Sequence, residues 1–388
     1  MKAPAFLSLW LFACLLNPIA SAKDALSINI VRSPNESLQP LAQVDEQGVV
    51  HLIYFKGDAS HGDLFYVQRS MDGTALSEPV RVNQIDGAAM AIGTIRGAHV
   101  ALGRDGRLHV AWMGSKTTLK DDDRHHTPML YTRSLDRGKT FEKERNVIDE
   151  AYGLDGGGSL AADQEGNVMV VWHAGVHGGG ESVRRIWTRL SNNDGESFGP
   201  EKAADDGESG VCGCCGLKAY AAASGSGWNI LYRSATERVN RDMYLLASSD
   251  GQKFTSKRLD EWKIEACPMS SAALIERQGR VFAAWETKRN IAYTTVPSNG
   301  GKFEVIRLTT NGEKELKRKH PAMAIGEDGS MLLCWTEDTG WKRGGSVHWQ
   351  LFDPNGQPTG QEGMRDGLPA WSKPTVVAEK SGGFLIVF

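Results

Sequence analysis

The chain has 388 residues, with 44 Lys plus Arg against 47 Asp plus Glu and a formal net charge of −3. That balance argues against a nucleic-acid partner, which needs a basic surface. Its 44 glycines and 11 tryptophans, without long apolar stretches of helical period, point to an all-β chain with many tight turns.

Met1–Ala22 reads as a secretory leader: Lys2, an apolar run through Leu16, and the small residues Ala20-Ser21-Ala22 as a cleavage site. The run is too short for a membrane span, and no other segment is long and apolar enough. Cys14, after Leu11-Phe12-Ala13, is a weaker lipoprotein alternative. The expectation is a signal peptide over 1–22 and a secreted or periplasmic mature chain over 23–388. A repeat runs through that chain without a linker, so it is expected to be one domain, and a monomer.

The repeat is the dominant signal. Apolar runs ending in an aromatic recur as VHLIYF, LHVAWM, VMVVWH, WNILYR, VFAAWE, MLLCWT and FLIVF. Their alignment places Tyr54, Trp112, Trp172, Tyr232, Trp285, Trp335 and Phe388 in one column, 50 to 60 residues apart. Units of that length made of four short strands predict the blades of a β-propeller. In the second unit the strands are expected near 98–102, 107–113, 128–134 and 144–148. Leu26–Arg32 is expected as an outer strand that completes the C-terminal blade and removes a free sheet edge. Seven blades, the last composite, is the preferred count; six is the alternative.

The first two strands of each unit join through short Gly/Asp turns: 45–48, 103–106, 163–166, 225–227, 277–279, 327–329 and 381–383. They are chosen for backbone geometry. The third and fourth strands join through a second kind of turn. Ser134-Leu135-Asp136-Arg137-Gly138-Lys139-Thr140-Phe141 fits S-x-D-x-G-x-T-F, the Asp-box. Ser191–Phe198 fits with Asn193 for the Asp, Ser248–Phe254 is one residue short, and Ser70–Gly73 and Asn299–Phe303 are remnants. The mature chain thus resembles the Asp-box (bacterial neuraminidase repeat) propellers, the group that includes sialidases. In such a turn the carboxylate accepts backbone N–H bonds, glycine takes positive φ and the aromatic packs beneath.

Both short-turn types lie at one face, so a site is expected at the other, among the long second-to-third-strand loops and the crossovers between blades. The position after each aromatic reads Phe55, Met113, His173, Arg233, Glu286 and Thr336. These are equivalent strand positions, so His173, Arg233 and Glu286 are expected together at the mouth; ends of strands in solvent are the alternative. Entries to the inner strands add Arg96, Asp155, Lys319, His320 and Trp371. The resemblance implies an arginine cluster for a sugar carboxylate, from Arg96, Arg233 and Arg241 or Arg343, and acid/base carboxyls among Glu286, Glu337, Asp155 and Asp242. The Arg-Ile-Pro motif of sialidases is absent; Thr94-Ile95-Arg96-Gly97 is a loose echo. Trp262, Trp341 and Trp371 are candidates for stacking on a sugar or for packing between blades.

Five cysteines follow the leader. Cys334 sits in a strand as a buried apolar residue. Cys212, Cys214, Cys215 and Cys267 meet the same edge of neighbouring blades. They read as disulfides or, alternatively, as a soft-metal or redox site; no other cofactor is implied. The function expected is a glycan-directed protein, binding or cleaving a glycan or glycoconjugate as an exo-glycosidase would. The alternatives are an interaction scaffold and a metal or redox propeller using the cysteines.

Overall fold

A computed structural model describes residues 25–70, 73, 75–119, 123–175, 179–222, 227–297, 301–308 and 317–388. The expected leader with Cys14, the turn residues Gly225-Ser226 and parts of the two remnant turns lie outside these residues.

The chain forms seven sheets in a ring, a seven-bladed β-propeller. The inner strands are Leu38–Val44, His99–Leu102, Gly158–Ala162, Lys218–Ala221, Ala272–Arg277, Arg318–Ile325 and Thr375–Ala378. Each packs against the next, and the seventh against the first, so the ring closes. Six blades have four antiparallel strands in sequence order. In the second unit the strands are His99–Leu102, Leu108–Met113, Met129–Ser134 and Arg145–Asn146, close to the spans read from sequence.

The aromatic column holds: Tyr54, Trp112, Trp172, Tyr232, Trp285, Trp335 and Phe388 are all buried. Two of these indoles bond across to the crossover backbone, Trp112 to the Ala88 carbonyl and Trp172 to that of Ala151. The core is therefore seven apolar layers, each between two neighbouring blades. One unites Ile53, Phe55 and Leu64 of the first blade with Val110 and Trp112 of the second. Another unites Leu52 and Tyr54 with Leu385 and Val387 and seals the seam.

The seventh blade has three strands rather than four. Ile28–Val31 lies beside Phe384–Val387 and runs parallel to it. The direction follows from connectivity: this strand must deliver the chain to the start of the first inner strand, as an outermost strand does elsewhere. With no third strand between, it lies directly beside the second strand and runs in the same direction. Arg32 then covers the Phe388 ring at 4.6 Å, and Ser33 N–H donates to the Phe388 carbonyl.

The Ser134–Phe141 turn closes as its residues dictate. Asp136 accepts from Ser134 Oγ, Thr140 N–H and Thr140 Oγ1. Gly138 has φ of 85°. Phe141 packs edge-on against Tyr66. Asn193 repeats the role one blade later, accepting from Ser191 Oγ and Ser197 N–H. The opposite face is built from loops that hold one another: Ser115 N–H donates to Ala88, Val211 N–H to Glu181 and Arg241 N–H to Trp262. No helix among the described residues is long and apolar enough to cross a membrane.

Candidate functional site

The loop face gathers most of the predicted residues, in an arrangement different from the expected one. His173, Arg233 and Glu286 end the second strands of three consecutive blades and are buried, not solvated. Arg233 and Glu286 are brought together: Arg233 donates from Nη1 to the Arg241 carbonyl and from Nη2 to the Glu286 carbonyl, at 2.7 and 2.6 Å. The guanidinium lies over Trp262, 5.1 Å from the ring centroid. Trp262 is thus a buried packing residue, not a sugar platform.

Glu286 is 2% exposed and its Oε2 has no hydrogen-bond partner. Lys319 Nζ stands 4.0 Å away. Burial pushes the carboxyl up to about 7, against the pull of Lys319 and Arg233. His173 accepts from Gly156 N–H at Nε2, so Nδ1 holds its proton, without a partner. Burial holds that ring down to about 3. His320 accepts from Ser271 N–H and burial keeps it neutral likewise.

The remaining candidates divide by what occupies them. A chain of ion pairs crosses three blades: Arg96 to Asp155 at 3.2 Å, Asp155 to Arg184 at 3.8 Å, Arg184 to Glu181 at 3.6 Å, and Glu181 to Arg241 at 2.9 Å. Asp242 accepts Trp262 N–H at 2.9 Å and faces Arg258. It is a loop staple, because both oxygens are engaged. Glu337 is held below the usual carboxylate range despite its burial, by Trp335 Nε1–H, His348 and Arg318. It belongs to that network. The expected arginine cluster is likewise not formed as an open fork, since Arg233 and Arg241 direct their Nη groups at backbone carbonyls and Glu181.

One group faces outward. Gly340 and Arg343 exchange both backbone hydrogen bonds, which places Trp341 and Lys342 at the tip of a narrow loop. Trp341 is 56% exposed and meets Trp371 edge-on at 6.2 Å. Its ring lies against Gly93, and a Cβ there would also strike Arg96 Nη1. Gly93 has φ of 81°, a backbone conformation that favours glycine. Arg343 is exposed. Among the described residues no ion pair engages it.

The cysteines form a group of their own. Cys212 and Cys215 are buried with Ala235, Cys214 is half-buried and Cys267 exposed. Cys212 Sγ lies 3.3 Å from both Cys214 Sγ and Cys215 Sγ. All five described cysteines are thiols, so the expected disulfides are not formed. Cys212 N–H donates to the Arg233 carbonyl and Gly216 N–H to the Ser270 carbonyl, which ties this loop to two neighbouring blades at the mouth.

Sequence reading missed Glu181, Arg184, Lys218 and Lys373. Lys218 and Lys373 enter inner strands and are walled in by burial, which holds them down to about 7 and about 8. A lysine opening an otherwise apolar inner strand was the available signal.

No protein-family model matches the chain, and no curated protein matches it. Solved structures share the fold. The GH93 α-L-arabinofuranosidase of Fusarium graminearum, solved with arabinobiose, aligns over 80% of this chain and 92% of its own, at 10% identity and a TM-score of 0.52. The α-L-arabinanase of Penicillium chrysogenum aligns over 84% and 95%, at 13% and 0.51. A Hadza microbial sialidase aligns over 78% and 63%, at 11% and 0.50. At such identities the likeness is one of fold: the chain is a β-propeller of the kind that sialidases and arabinan-cleaving enzymes also use.

Proposed function

We propose that this propeller is exported and that its loop face binds an acidic glycan. The observation that carries the reading is the Trp341 tip. An exposed indole, braced by Trp371 and set against Gly93, stands beside Lys342 and Arg343 in the chain. A flat aromatic face suits the C–H face of a pyranose, and cations beside it suit a sugar carboxylate or sulfate. The arabinan enzymes and the sialidase act on glycans, and the Asp-box pattern of the turns supports the same superfamily.

Binding is favoured over cleavage. Glycoside hydrolysis needs two carboxyls facing one sugar. Asp242 and Glu337 are engaged with protein partners and Glu286 is sealed from solvent. A hydrolase reading keeps one supporting observation, the Glu286 carboxyl raised to about 7, where a general acid would operate.

A glycan array with acidic and neutral sugars, read for both retention and turnover, tests this. Retention of acidic glycans without turnover is expected. Trp341→Ala should weaken it at least about 10-fold, as loss of an aromatic anchor does. Turnover that disappears in Glu286→Gln would establish the hydrolase instead. Retention unchanged in Trp341→Ala would remove the proposed surface.

A further inference from the structure

We propose that Cys212, Cys214 and Cys215 form a three-thiolate binding site for a soft monovalent cation, the cuprous ion. The site is separate from the Trp341 surface and does not depend on the glycan reading.

The three sulfurs converge. Cys212 Sγ stands 3.3 Å from each of the other two, and all three lie within 4.8 Å of one another. Three thiolates around a metal at about 2.3 Å stand about 4 Å apart, so an ion needs only a small outward shift. A disulfide does not fit as well. Cys212 is equidistant from two partners, and a bridge to either strands the third sulfur.

The loop that presents them is fixed at four points. Cys212 N–H donates to the Arg233 carbonyl, Gly213 N–H to Glu181 Oε1, Cys215 N–H to the Cys212 carbonyl and Gly216 N–H to the Ser270 carbonyl. Gly213 is required: a Cβ there would strike Arg184 and approach Asp155 Oδ2. The absent side chain lets Arg184 lie across the loop between two of the sulfur ligands.

Ligand type, number and charge select the ion. Sulfur donors buried beside Ala235 suit a soft cation and offer nothing to a hard one. Zinc takes four ligands. Two further donors, Glu181 and Cys267, lie within 4.8 Å of Cys214 and of each other; Glu181 already accepts from Gly213 N–H and Arg241 Nη2, and Cys267 is exposed, so the buried set remains three. Around the loop stand Arg96, Arg184, Arg233, Arg241 and Lys319 against Asp155, Glu181 and Glu286, so the surroundings are net positive. A cuprous ion held by three thiolates carries two negative charges, which these cations offset. Binding displaces three thiol protons and involves no electron transfer. Half-buried Cys214 is the point of entry.

The test is anaerobic titration of the reduced full-length chain with cuprous ion buffered by bathocuproine disulfonate. One ion per chain is expected, with a thiolate-to-copper absorption band in the near ultraviolet. Cys214→Ser, which alters the least buried of the three thiols, should lower the affinity at least 100-fold. Cys267→Ser and Cys334→Ser should leave it unchanged, and Cys212→Ser serves as a second ligand variant where its thermal melt matches wild type. Three results would overturn the proposal: copper lost to the chelator equally from wild type and Cys214→Ser, preferential retention of Zn(II) over cuprous ion, or peptide mapping that finds the clustered cysteines stably paired after expression in an oxidising compartment.

Discussion

Glu286 shows how one side chain sets a property of the whole. Its carboxyl is raised from 4.5 to about 7, so the folded state holds a proton that the unfolded chain releases earlier. The associated stability is complete below pH 4.5 and is lost as pH rises through about 7, on the order of 3 kcal/mol. Glu286→Gln retains the shape without the charge, and urea unfolding of this variant should show that loss removed between pH 5 and 8. The buried histidines act in the opposite direction. His109 and His173 are held down to about 3, so they stabilise the fold above pH 6.5 and that contribution disappears as pH falls toward 3. Acid titration of the melting temperature should therefore drop steeply below pH 6, and less so in His173→Gln. The column containing His173, Arg233 and Glu286 was legible in the sequence because strand position fixes which residues are equivalent. Their burial was not legible, because it depends on the Cys212–Gly216 loop, which arrives from a crossover with no repeat of its own.

The turns are the elements whose sequence says most. The Ser134–Phe141 pattern specifies its own hydrogen bonds, and these are the bonds observed around Asp136. Asp136→Ala removes an acceptor for three donors and should cost about 1–2 kcal/mol in urea unfolding; Asp136→Asn, which places here the residue that Asn193 supplies one blade on, should recover most of it. The loop face was legible as a location and not as a set of partners. Loop length and polarity indicate where a site is presented, whereas pairings such as Arg96 with Asp155, or Glu181 with Arg241, join segments about 60 residues apart in different blades. Trp341 and Trp262 illustrate the difference. Both are loop tryptophans; one stands at the tip of a backbone-paired loop and the other lies beneath an arginine, and nothing in their neighbours in sequence separates them.

At the scale of the molecule, closure is the decisive feature. The repeat revealed the blades, and the chain ends revealed that the last one is shared, but not that the N-terminal strand would run parallel to its partner. Removing residues 25–32 should expose the Phe384–Val387 edge, lower the melting temperature by more than about 5 °C and promote aggregation. The ring in turn fixes the loop face on which the Trp341 tip stands. A co-crystal structure with an acidic oligosaccharide retained on the array tests the account most directly. It should show a sugar ring against Trp341 with its acidic group toward Arg343 and Lys342; a sugar bound on the short-turn face, or at the loop face without contact to Trp341, would contradict it.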